Sequence, residues 1–257
     1  MIKQFIPIEN DLIIEKVSSL KQKGVILFSN YYGAKDNCHY EILEGQYTIV
    51  LRCKEYDYYR IYLVTTDNDD LIQTLSCCED SEYVINIPSK GSINQWDEIL
   101  RKVGFTQIAE YRRYYNNKKI VSRKSAIGEF ARHDENSQIR NILNEIFSKY
   151  TDTIPSEEEL RRLIDNKQVL VSHEENGNVC GVLIFCFEGK KCYFRIWVDK
   201  GNTGLFLLYK AYNIVVEQNI NYVYFWVNST NKDVIRLHTL MGAQSDGLSD
   251  YTYIKTK

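Results

Sequence analysis

The segment Val198-Asp199-Lys200-Gly201-Asn202-Thr203-Gly204-Leu205 gathers residue types that suit one task, holding a diphosphate. An apolar strand is expected to end at Val198 and a helix to start near Thr203, leaving the first helical amides without intrahelical partners. Backbone N–H groups at such an end make an anion site, which Gly201 and Gly204 leave open to close approach. Lys200 supplies a cation, and Asn202 and Thr203 are small and polar. Leu205, Leu208, Tyr212 and Val216 follow at helical spacing and are read as core. A glycine-containing strand-to-helix turn is common in itself, so the segment gains its weight from its surroundings.

Other candidates are fewer. Asn231 precedes an expected helix, Lys232–Met241, where an asparagine acts as an N-cap. His238 lies inside that helix; histidine titrates near neutrality, and a half-buried ring packed on the sheet is the competing reading. The seven cysteines sit mostly in apolar runs of a chain large enough to fold without staples, and are read as reduced, buried thiols. No metal centre is expected, because there are no CxxC pairs and the four histidines are scattered.

These residues require an α/β frame, and the chain reads as two successive ones. In the first half a helix is expected over 12–21, then strands at 25–28, 38–43, 47–53 and 58–65. A helix over 69–77, a strand over 83–87, a helix over 95–103 and a strand over 105–115 follow. After a polar connector, 116–135, the second half has helices at 137–149 and 156–165, and strands at 169–173, 179–187 and 192–198. A helix over 203–218, a strand at 222–227, a helix over 232–241 and a last strand near 251–255 complete it. Tyr59-Arg60-Ile61-Tyr62 matches Phe194-Arg195-Ile196-Trp197, and Val103-Gly104-Phe105 matches Met241-Gly242-Ala243. The same order of elements in both halves points to an internal duplication, with domains at 1–120 and 132–257.

The turn of the first half reads Thr65-Thr66-Asp67-Asn68-Asp69-Asp70. It lacks glycine, and its three carboxylates favour a helix start while repelling a diphosphate from the same place. The two halves are therefore expected to differ in function.

With 32 basic and 34 acidic residues the chain is close to neutral. Nucleic-acid binding is not expected, the nearest basic group being Lys118, Lys119, Arg123 and Lys124 in the connector. No run approaches the ~18 apolar residues of a membrane span, and the start lacks a signal-peptide pattern, so a cytoplasmic protein is expected.

The second half resembles the GNAT acyltransferase superfamily. The resemblance lies in the 196–205 turn, in Trp226-Val227-Asn228-Ser229-Thr230-Asn231 with Val234-Ile235-Arg236-Leu237-His238 and Gly242-Ala243, and in Ser156-Glu157-Glu158-Glu159-Leu160 and Gly181. It implies an α/β (α+β) fold of two tandem GNAT-like mixed-sheet domains, the N-terminal one degenerate. It also implies an N-acyltransferase moving an acetyl or other acyl group from acyl-CoA to the amine of a small molecule. Acetyl-CoA or another acyl-CoA would then be held by main-chain groups of Ile196 and Val198, by Lys200, Gly201, Asn202, Thr203, Gly204 and Leu205, and by Asn231. His238 stands where the family often has a tyrosine that protonates the leaving thiolate. Departures are Asp199 for the family's Gln or Arg, Asn202 for its first glycine, and Ala243 for its phenylalanine. A binding module without chemistry and an aminoacyl-tRNA-dependent transferase with twin GNAT-like halves are the alternatives.

Overall fold

The computed structural model describes residues 4–34, 38–78, 81–117 and 125–256. The basic group at 118, 119, 123 and 124 falls outside them. The chain divides into two compact units, Met1–Glu110 with Leu248–Lys257, and Tyr111–Gly247.

The first half runs β1 (Ile6–Ile8), α1 (Asn10–Lys23), β2 (Phe28–Ser29), β3 (Tyr40–Glu44), β4 (Thr48–Glu55), β5 (Tyr58–Thr65), α2 (Asn68–Leu75), β6 (Tyr83–Ser89), α3 (Asn94–Lys102) and β7 (Thr106–Asn116). The second half runs β8 (Glu129–Phe130), α4 (Asn136–Ile146), α5 (Glu157–Asp165), β9 (Val169–His173), β10 (Val179–Glu188), β11 (Lys191–Asp199), α6 (Gly204–Glu217), β12 (Tyr222–Asn228), α7 (Lys232–Leu240) and β13 (Gln244–Lys255). Within the first unit the strand order is β1-β3-β4-β5-β6-β13, and within the second it is β7-β12-β11-β10-β9-β8.

Local chemistry accounts for most of these elements. The Ser156 hydroxyl accepts a hydrogen bond from the Glu159 amide at 3.1 Å, and three glutamates face the positive end of α5, as its sequence predicts. Both matched glycines are left-handed, Gly104 at φ 89° and Gly242 at φ 93°. Each closes its helix in the same way: Phe105 N–H donates to Leu100 O at 2.9 Å, and Ala243 N–H donates to His238 O at 2.9 Å.

Each unit is a sheet between two helical layers. In the first, α1 packs Ile13 and Leu20 against Ile42, Leu51 and Val64, while α2 and α3 set Leu71, Leu75 and Leu100 against Leu63, Ile85 and Ile87. In the second, α4 and α5 cover Val169, Val182 and Ile184 with Ile139, Leu143 and Leu160. On the other face, α6 packs Leu207, Leu208 and Val215 against Leu183, Phe185 and Val223.

Two expectations are corrected. The domains are not the contiguous 1–120 and 132–257, because strand partners rather than chain order decide membership. Residues Tyr111–Asn116 of β7 pair antiparallel with β12 in the second unit, and Ser249–Lys255 of β13 pair antiparallel with β6 in the first. The cysteines are not all reduced: Cys38 and Cys53 form a disulfide. Cys53 lies opposite Tyr40 in the β3–β4 ladder, so a residue just ahead of β3 reaches it diagonally. Cys78, Cys180 and Cys192 are buried free thiols, as expected, and Cys77 is exposed. Among the described residues no helix is long and apolar enough to cross a membrane.

Candidate functional site

The second unit opens where two parallel strands part. β11 and β12 pair from Lys191↔Tyr222 to Phe194↔Phe225 and no further. Beyond that point β11 stays bonded to β10 out to Asp199, whose partner is Gly181. From Arg195 to Val198 the β12-facing edge of β11 therefore has no strand partner among the described residues. An edge of this kind offers main-chain donors and acceptors to an extended ligand carrying amides. Ile196 and Val198 lie on it, with side chains buried against α4 and α5.

A β-bulge sets this geometry. Ile184 faces Ile196 but Phe185 faces Phe194, so Arg195 is the extra residue of β11. Alternation then changes sides: Cys192 and Phe194 pack with α6, whereas Ile196 and Val198 pack with α4 and α5. The bulge also aims Arg195 away from any anionic ligand. Its guanidinium donates to Glu159 Oε1 at 2.6 Å and to the Thr153 carbonyl at 2.8 and 3.1 Å, with a side chain only 10% exposed. Burial opposes ionisation of Glu159, and the hydrogen bond and charge of Arg195 more than offset it, holding the carboxyl below its usual range.

At the end of β11 the turn takes a form that the sequence did not reveal. The Asp199 carboxylate folds over the start of α6, accepting from the Thr203 amide at 3.1 Å and from the Thr203 hydroxyl at 2.9 Å. The Thr203 hydroxyl is also 2.8 Å from that of Ser172. The Lys200 amide donates to the Cys180 carbonyl at 2.8 Å, and its ammonium pairs with Glu145. Two of the turn's amides are thus satisfied internally. The amides of Gly201, Asn202, Gly204 and Leu205 have no acceptor among the described residues. Glycine is required at 204, where a Cβ would come within 2.8 Å of Asp199 Cβ.

The residues of α7 behave differently from one another. Asn231 caps the helix, its side-chain oxygen accepting from the Val234 amide at 3.2 Å. His238 is 3% exposed, between the rings of Phe225, at 3.9 Å between centroids, and Trp197, at 5.5 Å. Its Nδ1 is buried and makes no hydrogen bond. Burial lowers its pKa to about 4, so the ring is neutral near pH 7 and is not poised as the proton donor expected of it. Carboxylates at nearby strand ends and loops are occupied: Glu188 accepts from the Tyr224 hydroxyl at 2.7 Å, and Glu174 from Asn176 at 3.0 Å.

In the first unit the same opening is filled. β5 and β6 pair only from Tyr59↔Tyr83 to Ile61↔Ile85, and there the chain's own residues 27–30 take over. Phe28 and Ser29 pair with Thr65 and Val64, and the Leu27 amide donates to Thr65 O at 2.9 Å. Asn30 bridges the gap: its Nδ2 donates to Ile61 O at 3.2 Å and to Asn86 O at 2.9 Å, and its Oδ1 accepts from the Leu63 amide at 2.7 Å. The helix behind is capped by Asp67, which accepts from the Asp70 amide at 2.8 Å. Asp70 in turn holds the amides of Gln46 and Tyr47. A polar asparagine closing an apolar run gave no local sign of this role.

No protein-family model and no curated protein matches the chain. Solved structures do. A tandem GNAT protein from the clavulanic acid biosynthesis pathway superposes with a TM-score of 0.59 at 6% identity, covering 98% of each chain. A GNAT-family acetyltransferase from Colwellia psychrerythraea gives 0.58 at 10% identity, covering 99% of this chain and 100% of that one. A GCN5-related N-acetyltransferase from Kribbella flavida gives 0.53 at 9% identity, over 97% and 96%. At these identities the likeness is one of fold: the chain has the GNAT architecture, in tandem.

Proposed function

We propose that the second unit is the acyl-binding half of an N-acyltransferase, which passes an acyl group from a pantetheine thioester such as acyl-CoA to the amine of a small molecule. The supporting observation is the open β11 edge from Arg195 to Val198, whose counterpart in the first unit is already filled. The pantetheine portion fits this edge: an amide-bearing chain can lie along it as an added strand, held by main-chain groups of Ile196 and Val198. The diphosphate portion does not fit the α6 end, where Asp199 sits over the helix start and Lys200 is paired with Glu145.

When bound, the thioester supplies the activated acyl carbon. Transfer forms a C–N bond and breaks a C–S bond; one proton leaves the amine and one reaches the thiolate sulfur. The chain's share is to align the donor on β11 and to keep water out, through Trp197, Phe225 and the buried face of α7. His238, held neutral by burial and with Nδ1 unpartnered, is a weak base and carries no proton as a cation for the thiolate, so the amine enters the reaction in its free form. Asn231 retains its Nδ2 as a donor while its oxygen caps α7.

Calorimetric titration with acetyl-pantetheine and acetyl-CoA, followed by thiol release in the presence of primary amines, tests the reading. One site per chain and amine-dependent thiol release are expected. Absence of binding by both thioesters at millimolar concentration would overturn it. The buried neutral His238 also favours a second reading, a binding module without chemistry, for which binding would occur without thiol release.

A further inference from the structure

We infer that the acyl donor is recognised by its pantetheine arm alone, the nucleoside diphosphate of coenzyme A being refused at the start of α6. This rests on the acyltransferase reading and narrows its donor. Three features of the turn carry it. First, a carboxylate of the chain itself stands at the helix start, beside the amides of Gly201, Asn202, Gly204 and Leu205, unpaired among the described residues: Asp199 Oδ2 accepts the Thr203 amide and Oδ1 the Thr203 hydroxyl. Second, that carboxylate is fixed. The Thr203 hydroxyl is in turn 2.8 Å from Ser172, a Cβ added at Gly181 would fall 2.9 Å from Asp199 Oδ1, and one added at Gly204 would fall 3.3 Å from Oδ2. Gly204 of the turn thus makes room for Asp199, an internal anion, and Gly181 of β10 makes room for Ser172 and Asp199 together. Third, the one cation of the turn is diverted, since the Lys200 ammonium pairs with Glu145. Asp199 and Glu145 against Lys200 leave a net charge of −1 around the helix start, where like charges repel.

The β11 edge contributes none of this repulsion, because it offers main-chain groups to an uncharged chain. A pantetheine thioester therefore gains nothing from carrying the adenosine diphosphate. Free acyl-pantetheine and an acylated phosphopantetheine arm tethered to a carrier share the chemistry required. They differ at the far end, where the tethered arm carries a phosphate and the carrier joined to it.

The experiment is calorimetric titration of the full chain with acetyl-pantetheine, acetyl-4′-phosphopantetheine and acetyl-CoA, on the wild type and on Asp199→Asn. The asparagine keeps an oxygen for the Thr203 amide and removes the charge. Wild type is expected to bind acetyl-CoA no more than about threefold tighter than acetyl-pantetheine. Asp199→Asn is expected to raise the affinity for acetyl-CoA about tenfold and to leave acetyl-pantetheine within about twofold. Should that variant fold poorly, Glu145→Gln, which releases Lys200 on an exposed surface, is expected to favour acetyl-CoA in the same direction by a few fold. If 4′-phosphopantetheine binds as well as pantetheine, a tethered arm is admitted; if it binds worse, the free thioester is the donor, and either result supports the inference. Wild-type binding of acetyl-CoA tenfold or more above acetyl-pantetheine overturns it while leaving the acyltransferase reading intact. Failure of all three probes on the wild type overturns both.

Discussion

The two units part their central parallel strands within two residues of the same place in the matched register and treat the gap in opposite ways. In the first, β5 loses β6 after Ile61 and gains residues 27–30, with Asn30 satisfying main-chain groups of both strands. In the second, β11 loses β12 after Phe194 and gains nothing among the described residues. Buried backbone groups require partners, so the filled gap is complete in itself, whereas the open one leaves the β11 edge from Arg195 to Val198 without a strand partner among the described residues. Both helices behind the gaps, α2 and α6, are capped by an aspartate of the chain, Asp67 or Asp199. Degeneracy of the first unit is thus a filled channel as well as a charged turn, and the second unit shares the charged turn.

The largest effect expected from this comparison is at Asn30. Replacing it with alanine strips partners from the Leu63 amide and from the Ile61 and Asn86 carbonyls inside the sheet. At roughly 1–1.5 kcal/mol for each lost bond, the cost is about 4 kcal/mol. Urea denaturation should show the loss directly. Unchanged stability would mean that residues 27–30 merely lie over the gap, and the contrast between the units would collapse.

Next in size is a pH effect arising where the repeat places different residues at one helical position. Leu100 and His238 both accept the closing N–H of their helix, from Phe105 and Ala243, and both are buried. Only the second is titratable. Its folded pKa, lowered by burial to about 4, lies below the ordinary 6.5, so the unfolded chain takes up the proton first. The resulting stability is fully present above pH 6.5 and is lost as pH falls toward 4, by roughly 3 kcal/mol in all. His238→Leu, which copies the first unit, should flatten that part of the profile of unfolding midpoint against pH. A wild-type profile with no slope there would place the ring in water rather than between Phe225 and Trp197.

Much of this was legible in the sequence, and the reason is locality. Ser156 before three glutamates, Gly104 and Gly242 after their helices, and Asn231 before Lys232 each act within a few residues of where they stand. The GNAT order of elements follows from such signals in succession. What could not be read is non-local. Asn30 meets Asn86 across 56 residues, β13 meets β6 across more than half the chain, and Arg195 becomes a bulge only because β10 runs one residue short against it. Asp199 was visible as a departure from the family's turn, but its hold on Thr203 depends on a fold-back that spacing does not specify. The disulfide was missed for a similar reason, since general rules on cysteine usage do not see that Cys38 and Cys53 flank one hairpin.

A smaller effect separates the first helical residues, Asn68 of α2 and Gly204 of α6. At 204 a methyl group would sit 2.8 Å from Asp199 Cβ and 3.2 Å from its Cγ, so Gly204→Ala must displace the cap. The expected cost is about 1–2 kcal/mol, the usual range for overpacking. Asn68 already carries a side chain, and Asn68→Ala should stay within about 0.5 kcal/mol. Equal midpoints for the two variants in thermal unfolding would show that Asp199 swings away freely, which would also reopen the α6 end to a diphosphate.

The smallest difference lies inside the acidic turn of the first unit. Asp67 accepts a helix amide, and its loss to alanine should cost about 1 kcal/mol, the ordinary value of a cap. Asp69 is exposed, with only the helix dipole to favour it, and Asp69→Ala should change stability by less than about 0.5 kcal/mol. Neither change should create a second thioester site in calorimetry, because residues 27–30 still fill the strand gap in front of α2. A second site gained by Asp67→Ala would show that charge alone closes the first unit, and that its inserted segment gives way to a ligand.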